Sequence, residues 1–278
     1  MSDIARGLRT GQYEDSRNLA SRVALHEKFS TNRYGWHRWV LDQLDAPERA
    51  SLLEVGCGDG SLWSKNSDRL PATWDLTLSD FSLGMVRDAQ RNVNQLTVNS
   101  RFVVADAQAL PFADSAFDCV IANHMLYHLA DRGSALCEMW RVLTDDGHLI
   151  AATNGRDHLQ EIRELLSEFD ESLAVAFGLL SHEPFNLETG AEQLTRRFER
   201  VEMRRYPDSL TITDADPLIQ YVNSSLTAGP LLGDRLADFA GFVESKIAEH
   251  GAIRVTKTAG LFLARKQPRP LPSAGPAS

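Results

Sequence analysis

Along residues 51–153, short apolar runs alternate with stretches of helical pattern. The runs are SLLEVG, WDLTLSD, SRFVVAD, FDCVIAN and GHLIAAT. Each has strand length and is apolar continuously, not at every second residue, as in a sheet buried on both faces. Strands separated by helices predict parallel βαβ units and an α/β fold. Before this block, SRNLASRVALHEKF and GWHRWVLDQL place Leu19, Val23 and Phe29, then Trp36, Trp39, Val40 and Leu44, at helical spacing. After it, residues 154–250 read as mostly helical, interrupted by SHEPFN and AGPLLGD, and two late strands are expected at RVEMRRY and IRVTKTAGLFLARK. The tail QPRPLPSAGPAS cannot bury a core and is expected to be disordered. The expected organisation is a helical segment over 1–49, an α/β core over 50–155, a helical cap with the final strand pair over 156–267, and the tail over 268–278.

The polar residues that change this picture sit at strand ends. LLEV feeds Gly56-Cys57-Gly58-Asp59-Gly60. Glycines belong where the backbone turns sharply and a ligand approaches the main chain. A dinucleotide fingerprint G-x-G-x-x-G would need glycine where Ser61 stands, and no Gly-Lys-Ser/Thr follows for a phosphate-binding loop. LTLSD ends in Asp80, 24 residues after Gly56, where a carboxylate can accept from both hydroxyls of a ribose. VVADA ends in Asp106, within reach of an adenine amino group. Alone, either aspartate reads more simply as a turn residue or helix cap. In order after a glycine turn, they line the crevice outside the carboxyl ends of the strands, where open α/β sheets bind ligands.

Charge and composition narrow the partners. A net charge of −9 repels phosphate backbones and argues against nucleic acid. No apolar run reaches the roughly 18–20 residues of a membrane helix, and the first residues, MSDIARGLRTGQYEDS, lack a secretory h-region. Cys57, Cys119 and Cys137 are odd in number and unpaired in spacing, as expected for reduced thiols in a cytoplasmic protein without a metal framework.

Glu54-Val55-Gly56-Cys57-Gly58-Asp59-Gly60, Asp80 in LSDFSLGMV, Asp106 in ADAQALPFADSAFDCVIAN, and LPFADSAFDCVIANHMLYHL with RVLTDDGHLI resemble the class I S-adenosylmethionine-dependent methyltransferases, in particular the ubiquinone-biosynthesis branch and its small-molecule relatives. The resemblance is close over about residues 50–155. It implies a Rossmann-like, doubly wound seven-stranded sheet with its last strand antiparallel, plus a helical lid. It also implies S-adenosylmethionine as cofactor. Gly56 and Gly58, with Cys57 between them, would lie under the methionine moiety, supported by Glu54. Asp80 would hold the ribose and Asp106 the adenine. Phe81 and Met85 would sandwich the adenine, with Ala107 beside it, and Asn123 would lie near the sulfonium.

Methyl transfer from a sulfonium is an in-line displacement, so the protein must chiefly align the acceptor and exclude water; orientation contributes roughly 7–11 kcal/mol. A general base matters only where the nucleophile loses a proton. His124 and His128 in NHMLYHL are the candidates there, with Tyr127 as a pocket wall. In related enzymes a segment like residues 1–49 folds over the cofactor, which would bring Tyr13 to the methionine end. His158, after an expected Asp157 helix cap, falls near the pocket mouth. Phe177, Leu179, Leu180, Phe185, Tyr221, Leu231, Leu232 and Phe239 suggest an apolar acceptor pocket. The expectation is a methyltransferase acting on N, O or C of a small-molecule acceptor in a biosynthetic tailoring step, in a possible homo-oligomer. The alternatives are a nicotinamide-dependent oxidoreductase and an S-adenosylmethionine-binding protein that transfers nothing.

Overall fold

The computed structural model describes residues 17–178, 185–225 and 227–266, with side chains from residue 23 onward. Tyr13, Leu179, Leu180 and the expected tail lie outside the described residues.

Helices α1 (Arg17–Phe29) and α2 (Trp36–Asp42) precede the core. Then follow β1 (Ser51–Val55), α3 (Ser61–Ser64), β2 (Asp75–Asp80), α4 (Leu83–Val93), β3 (Asn99–Val104), β4 (Phe117–Asn123), a short 3-10 turn (Leu126–His128), α5 (Arg132–Val142) and β5 (Leu143–Asn154). The remainder is α6 (Gln160–Phe169), α7 (Glu171–Gly178), α8 (Gly190–Thr195), β6 (Arg200–Ile212), α9 (Ala215–Asn223), α10 (Gly229–Leu232), α11 (Leu236–His250) and β7 (Ile253–Arg265). The seven strands form one sheet in the order β3-β2-β1-β4-β5-β7-β6. β1 to β5 are mutually parallel. β7 inserts antiparallel between β5 and β6. This is the seven-stranded α/β sheet the sequence implied, including its antiparallel last strand.

Alternation along each strand sorts the apolar runs onto two faces. Leu53, Val120, Ala151 and Phe262 pack with α5 and Phe185 on one face, and Leu52, Ile121, Ile150 and Leu261 pack with Trp63, Val40 and α4 on the other. SRFVVAD departs from the expectation of two buried faces. As β3 it is the sheet edge, and Val104 is exposed. Ser82 and Asp131 cap α4 and α5, accepting from Met85 N and Ser134 N.

A third apolar cluster lies beyond the sheet. Leu25 and Phe29 of α1 pack there with Ile162 and Leu166 of α6, Leu218 and Val222 of α9, Phe239 and Val243 of α11, and the outer ends of β6 and β7 at Leu210, Ile212 and Val255. The N-terminal helix and the later helices thus share one core and form a single cap. Asp157 does not cap α6. Leu159 holds that place with φ +56°, and its N–H donates to the Thr256 carbonyl of β7. The hydrogen bond to β7 places the helix cap two residues after the aspartate.

Candidate active site

The strand order reverses between β1 and β4, which opens a crevice at their carboxyl ends. A cavity of about 1760 Å³ fills it, walled by the loops after β1 to β5, by α1 and α2, and by the cap. Ligand pockets commonly hold about 300–1,000 Å³, so this one has room for two small molecules side by side. Of the residues assigned to a cofactor, Glu54, Gly56, Cys57, Asp80, Phe81, Met85, Asp106, Ala107 and Asn123 all line it; Gly58 does not.

Gly56, Gly58 and Gly60 have φ of +71°, +55° and +77°. The close approach that demands glycine is made by the protein itself. A Cβ on Gly56 would lie 2.8 Å from Met125 Cβ, and one on Gly60 would lie 2.9 Å from Val93 Cγ2. The N–H groups of Gly56 and Cys57 donate to the Ser79 carbonyl at 2.8 and 2.9 Å, and that of Gly58 donates to Asp80 Oδ2 at 3.1 Å. At the head of α3, Asp59 Oδ1 accepts from Ser61 N. A pyrophosphate needs free amides at a helix start. Here the amides are committed to β2 and a carboxylate occupies the helix start, which is hostile to a dinucleotide.

Asp80 is half-buried at the end of β2. Its Oδ1 accepts from Ser82 N at 2.8 Å and its Oδ2 from Gly58 N. Burial raises its pKa, and those backbone bonds oppose the rise. Glu54 is sealed in the core, where Oε2 accepts from Trp63 Nε1 at 2.6 Å and desolvation raises its pKa well above the usual carboxyl range. Burial also pushes the Cys57 thiol up, so it is not a thiolate nucleophile. Asp106 folds onto its own turn, accepting from Gln108 N and Nε2. Of the pair expected to flank adenine, Phe81 is exposed and Met85 almost fully buried, though both reach the cavity.

Asn123 closes β4, and its Oδ1 accepts from Trp36 Nε1 at 3.2 Å. His124 follows with φ +58° and its ring 4.9 Å from that of Trp36. Burial lowers its pKa to about 3. His128 lies in the 3-10 turn with its ring 4.4 Å from Tyr127. Both histidines reach the cavity. Of the lid residues, Phe185 and Tyr221 line it, whereas Leu232 and Phe239 belong to the cap core and Leu231 faces outward.

Sequence reasoning missed two groups on the cavity wall, His26 and Lys257, and placed a third, His158, at its mouth. His26 stands one position from Leu25 in α1, and burial lowers its pKa to about 3. His158 was placed only at the mouth, but burial holds its pKa well below the ordinary value. Lys257 pairs with Asp208 at 2.6 Å, and both side chains are buried. Lys257 falls in the polar first half of the late strand, RVTKT, and no sequence signal set it apart from Arg254.

Residues 53–151 match the family model described as a methyltransferase domain. The chain is 28% identical over 145 residues to the ubiquinone/menaquinone biosynthesis C-methyltransferase UbiE of Pasteurella multocida, covering 51% of this chain and 54% of that protein. It is 26% identical over 198 residues to the Salmonella arizonae protein of the same name, covering 70% and 76%. The chain thus spans about half the length of several curated relatives it matches. A Haemonchus contortus phosphoethanolamine N-methyltransferase 2, solved with phosphomonomethylethanolamine and S-adenosylhomocysteine, superposes with a TM-score of 0.57 at 17% identity, over 97% of this chain and 61% of that one. Over residues 53–151 the chain is thus similar to methyltransferase domains, and it resembles the ubiquinone/menaquinone biosynthesis C-methyltransferases.

Proposed function

We propose that this protein transfers the methyl group of S-adenosylmethionine to a small-molecule acceptor in a biosynthetic tailoring step, in the cytoplasm and without nucleic acid. Asp80 is the observation that carries the reading. Each of its oxygens already accepts one backbone N–H, and a carboxylate has about four acceptor sites. The Phe81 backbone also bonds Asp80, and the acceptor capacity that remains at the cavity rim would serve the ribose hydroxyls. Phe81, Met85, Asp106 and Ala107 would then receive the adenine. Gly56, Cys57, Gly58 and Glu54 would support the methionine end, and Asn123 the sulfonium. When bound, S-adenosylmethionine supplies an activated methyl group. The chain's own part is to hold the acceptor in line with it and keep water out. His124 and His128 are the bases this reading offers near Asn123, and Tyr13 would close the methionine end.

Calorimetry with S-adenosylhomocysteine and NADH, followed by labelled-methyl transfer into a metabolite extract, tests the reading. The former should bind and the latter should not. NADH binding would favour an oxidoreductase, and cofactor binding without transfer would leave a binding protein.

A further inference from the structure

The loop between β3 and β4, residues 105–116, carries Asp106 and Ala107 on the cavity wall but contains no helix or strand of its own. Its upstream end is tied to the sheet, where Ala105 N–H donates to the Asp80 carbonyl at 3.0 Å. Its downstream part is held from α5. Leu110 N–H donates to Glu138 Oε2 at 2.8 Å. Arg141 Nη2 donates to the Leu110 carbonyl at 3.0 Å, and Nη1 donates to the Phe112 carbonyl at 2.7 Å and to Asp114 Oδ1 at 2.8 Å. Nε and Nη2 of the same guanidinium donate to Glu138 Oε1 and Oε2, both at 2.7 Å. The planar fork of an arginine carries five N–H groups, and all five are engaged here. The frame behind this clamp is core: Leu136, Met139 and Val142 of α5 are buried, and Leu110 and Phe112 pack into the same cluster.

A single turn separates the clamp from the cavity. Ala109 N–H donates to the Asp106 carbonyl at 3.0 Å, and Asp106 Oδ1 accepts from Gln108 N and Nε2. Oδ2 accepts nothing among the described residues. Asp106 lines the cavity, whereas Glu138 and Arg141 do not. Ion pairs at partly exposed positions add little to stability. What this pair adds is geometry, because it hooks both backbone polar groups of Leu110, four residues from Asp106.

We propose that Glu138 and Arg141 are positioning residues for base recognition: they hold the Asp106 turn so that Asp106 Oδ2 meets the 6-amino group of the cofactor's adenine. The assignment rests on the cofactor reading above. A hydrogen bond of about 2.9 Å is lost at about 3.6 Å, so a shift of less than an ångström in the turn removes it. The clamp touches neither the ribose nor the methionine side of the cavity, and its loss leaves those contacts standing.

The test is calorimetry on the full chain with S-adenosylhomocysteine and with its analogue lacking the 6-amino group, which carries purine in place of adenine. Wild type should bind the former about tenfold tighter or more. In the double variant Glu138→Gln/Arg141→Met, which strands no buried charge, that ratio should fall to about threefold or less, with affinity for the purine analogue within about twofold of wild type. Arg141→Lys keeps the charge and most of the alkyl packing. Three donors on one nitrogen cannot reach oxygens spread along a fork, so it should lose most of the discrimination as well. A role in stability alone would weaken both ligands alike. A ratio unchanged in Arg141→Lys, or a loss shared equally by the two ligands, therefore overturns the positioning role. So does a wild type that does not tell the ligands apart. A wild type that binds neither ligand overturns the cofactor reading and the positioning role with it, an outcome visible before any variant is made.

Discussion

Lowering the pH from 7.5 to 5.0 should destabilise this protein steeply, because its buried imidazoles cannot take up protons. Burial lowers His26 and His124 to about 3, and His37 and His148 to about 4. The nearby charges modify this without reversing it: Lys257 and Asp208 act on His26, Lys65 and Glu27 on His37, and Arg265 and Asp45 on His148. A folded pKa below the unfolded 6.5 means that the unfolded chain binds protons first. Stability is then complete above about pH 6.5 and is lost as pH falls toward the folded value. At 1.36 kcal/mol per unit, each ring costs about 2 kcal/mol at pH 5.0. His26, His37 and His124 line the cavity, whose polar neighbours ease charging, so the four together cost about 4 kcal/mol. Glu54 and Asp80 act in the opposite sense, since their raised pKa lets the folded state bind protons first, and they offset part of this. Urea unfolding at the two pH values should show a midpoint lower by about 1 M or more at pH 5.0. His148→Gln, which replaces the ring buried in β5 away from the cavity, should shrink the loss by about 2 kcal/mol. A midpoint that does not move between pH 7.5 and 5.0 refutes the reasoning.

Asp80→Ala should weaken S-adenosylhomocysteine at least tenfold by calorimetry, because two charge-assisted bonds of roughly 1.5–3 kcal/mol each are lost; unchanged affinity would leave Asp80 serving only the backbone of Gly58, Phe81 and Ser82. Gly56→Ala forces φ +71° on a side chain and drives Cβ against Met125. It should cost about 1–3 kcal/mol in thermal unfolding, and Met125→Ala in the same chain should restore part of that. Lys257→Met strands the Asp208 carboxylate, which has no exposed side-chain surface. It should cost about 3–5 kcal/mol, with a smaller loss when Asp208→Leu is added; equal losses would show that the pair is not coupled.

The sheet was legible because parallel strands buried on both faces must be continuously apolar, as SLLEV and FDCVIAN are. SRFVVAD carries the same signal yet forms the edge, since neighbour order is a tertiary property. That polar strand ends would meet was legible because fold geometry gathers them: Gly56, Asp80, Asp106 and Asn123 reach one cavity from four strands. The wall opposite the glycine loop was not. His26 and His158 are 132 positions apart, and only the joint packing of α1, α6 and β7 brings them together. The sharp turn expected at Gly56 is present at φ +71°, whereas its tight contact with Met125 was not legible.

β6 and β7 each run 13 residues, so their inner ends belong to the sheet while Leu210, Ile212 and Val255 belong to the cap core. The cap has few apolar ties to the sheet apart from this ribbon, whose ladder runs unbroken from Arg200↔Arg265 to Ile212↔Ile253. Local opening free energies follow such contacts. Amide protons of α1, α6, α9 and α11 should therefore exchange together, through one partial unfolding that leaves the parallel strands protected. The ribbon would act as the leash that brings the cap back, so the cavity can empty and refill without the sheet ever coming apart.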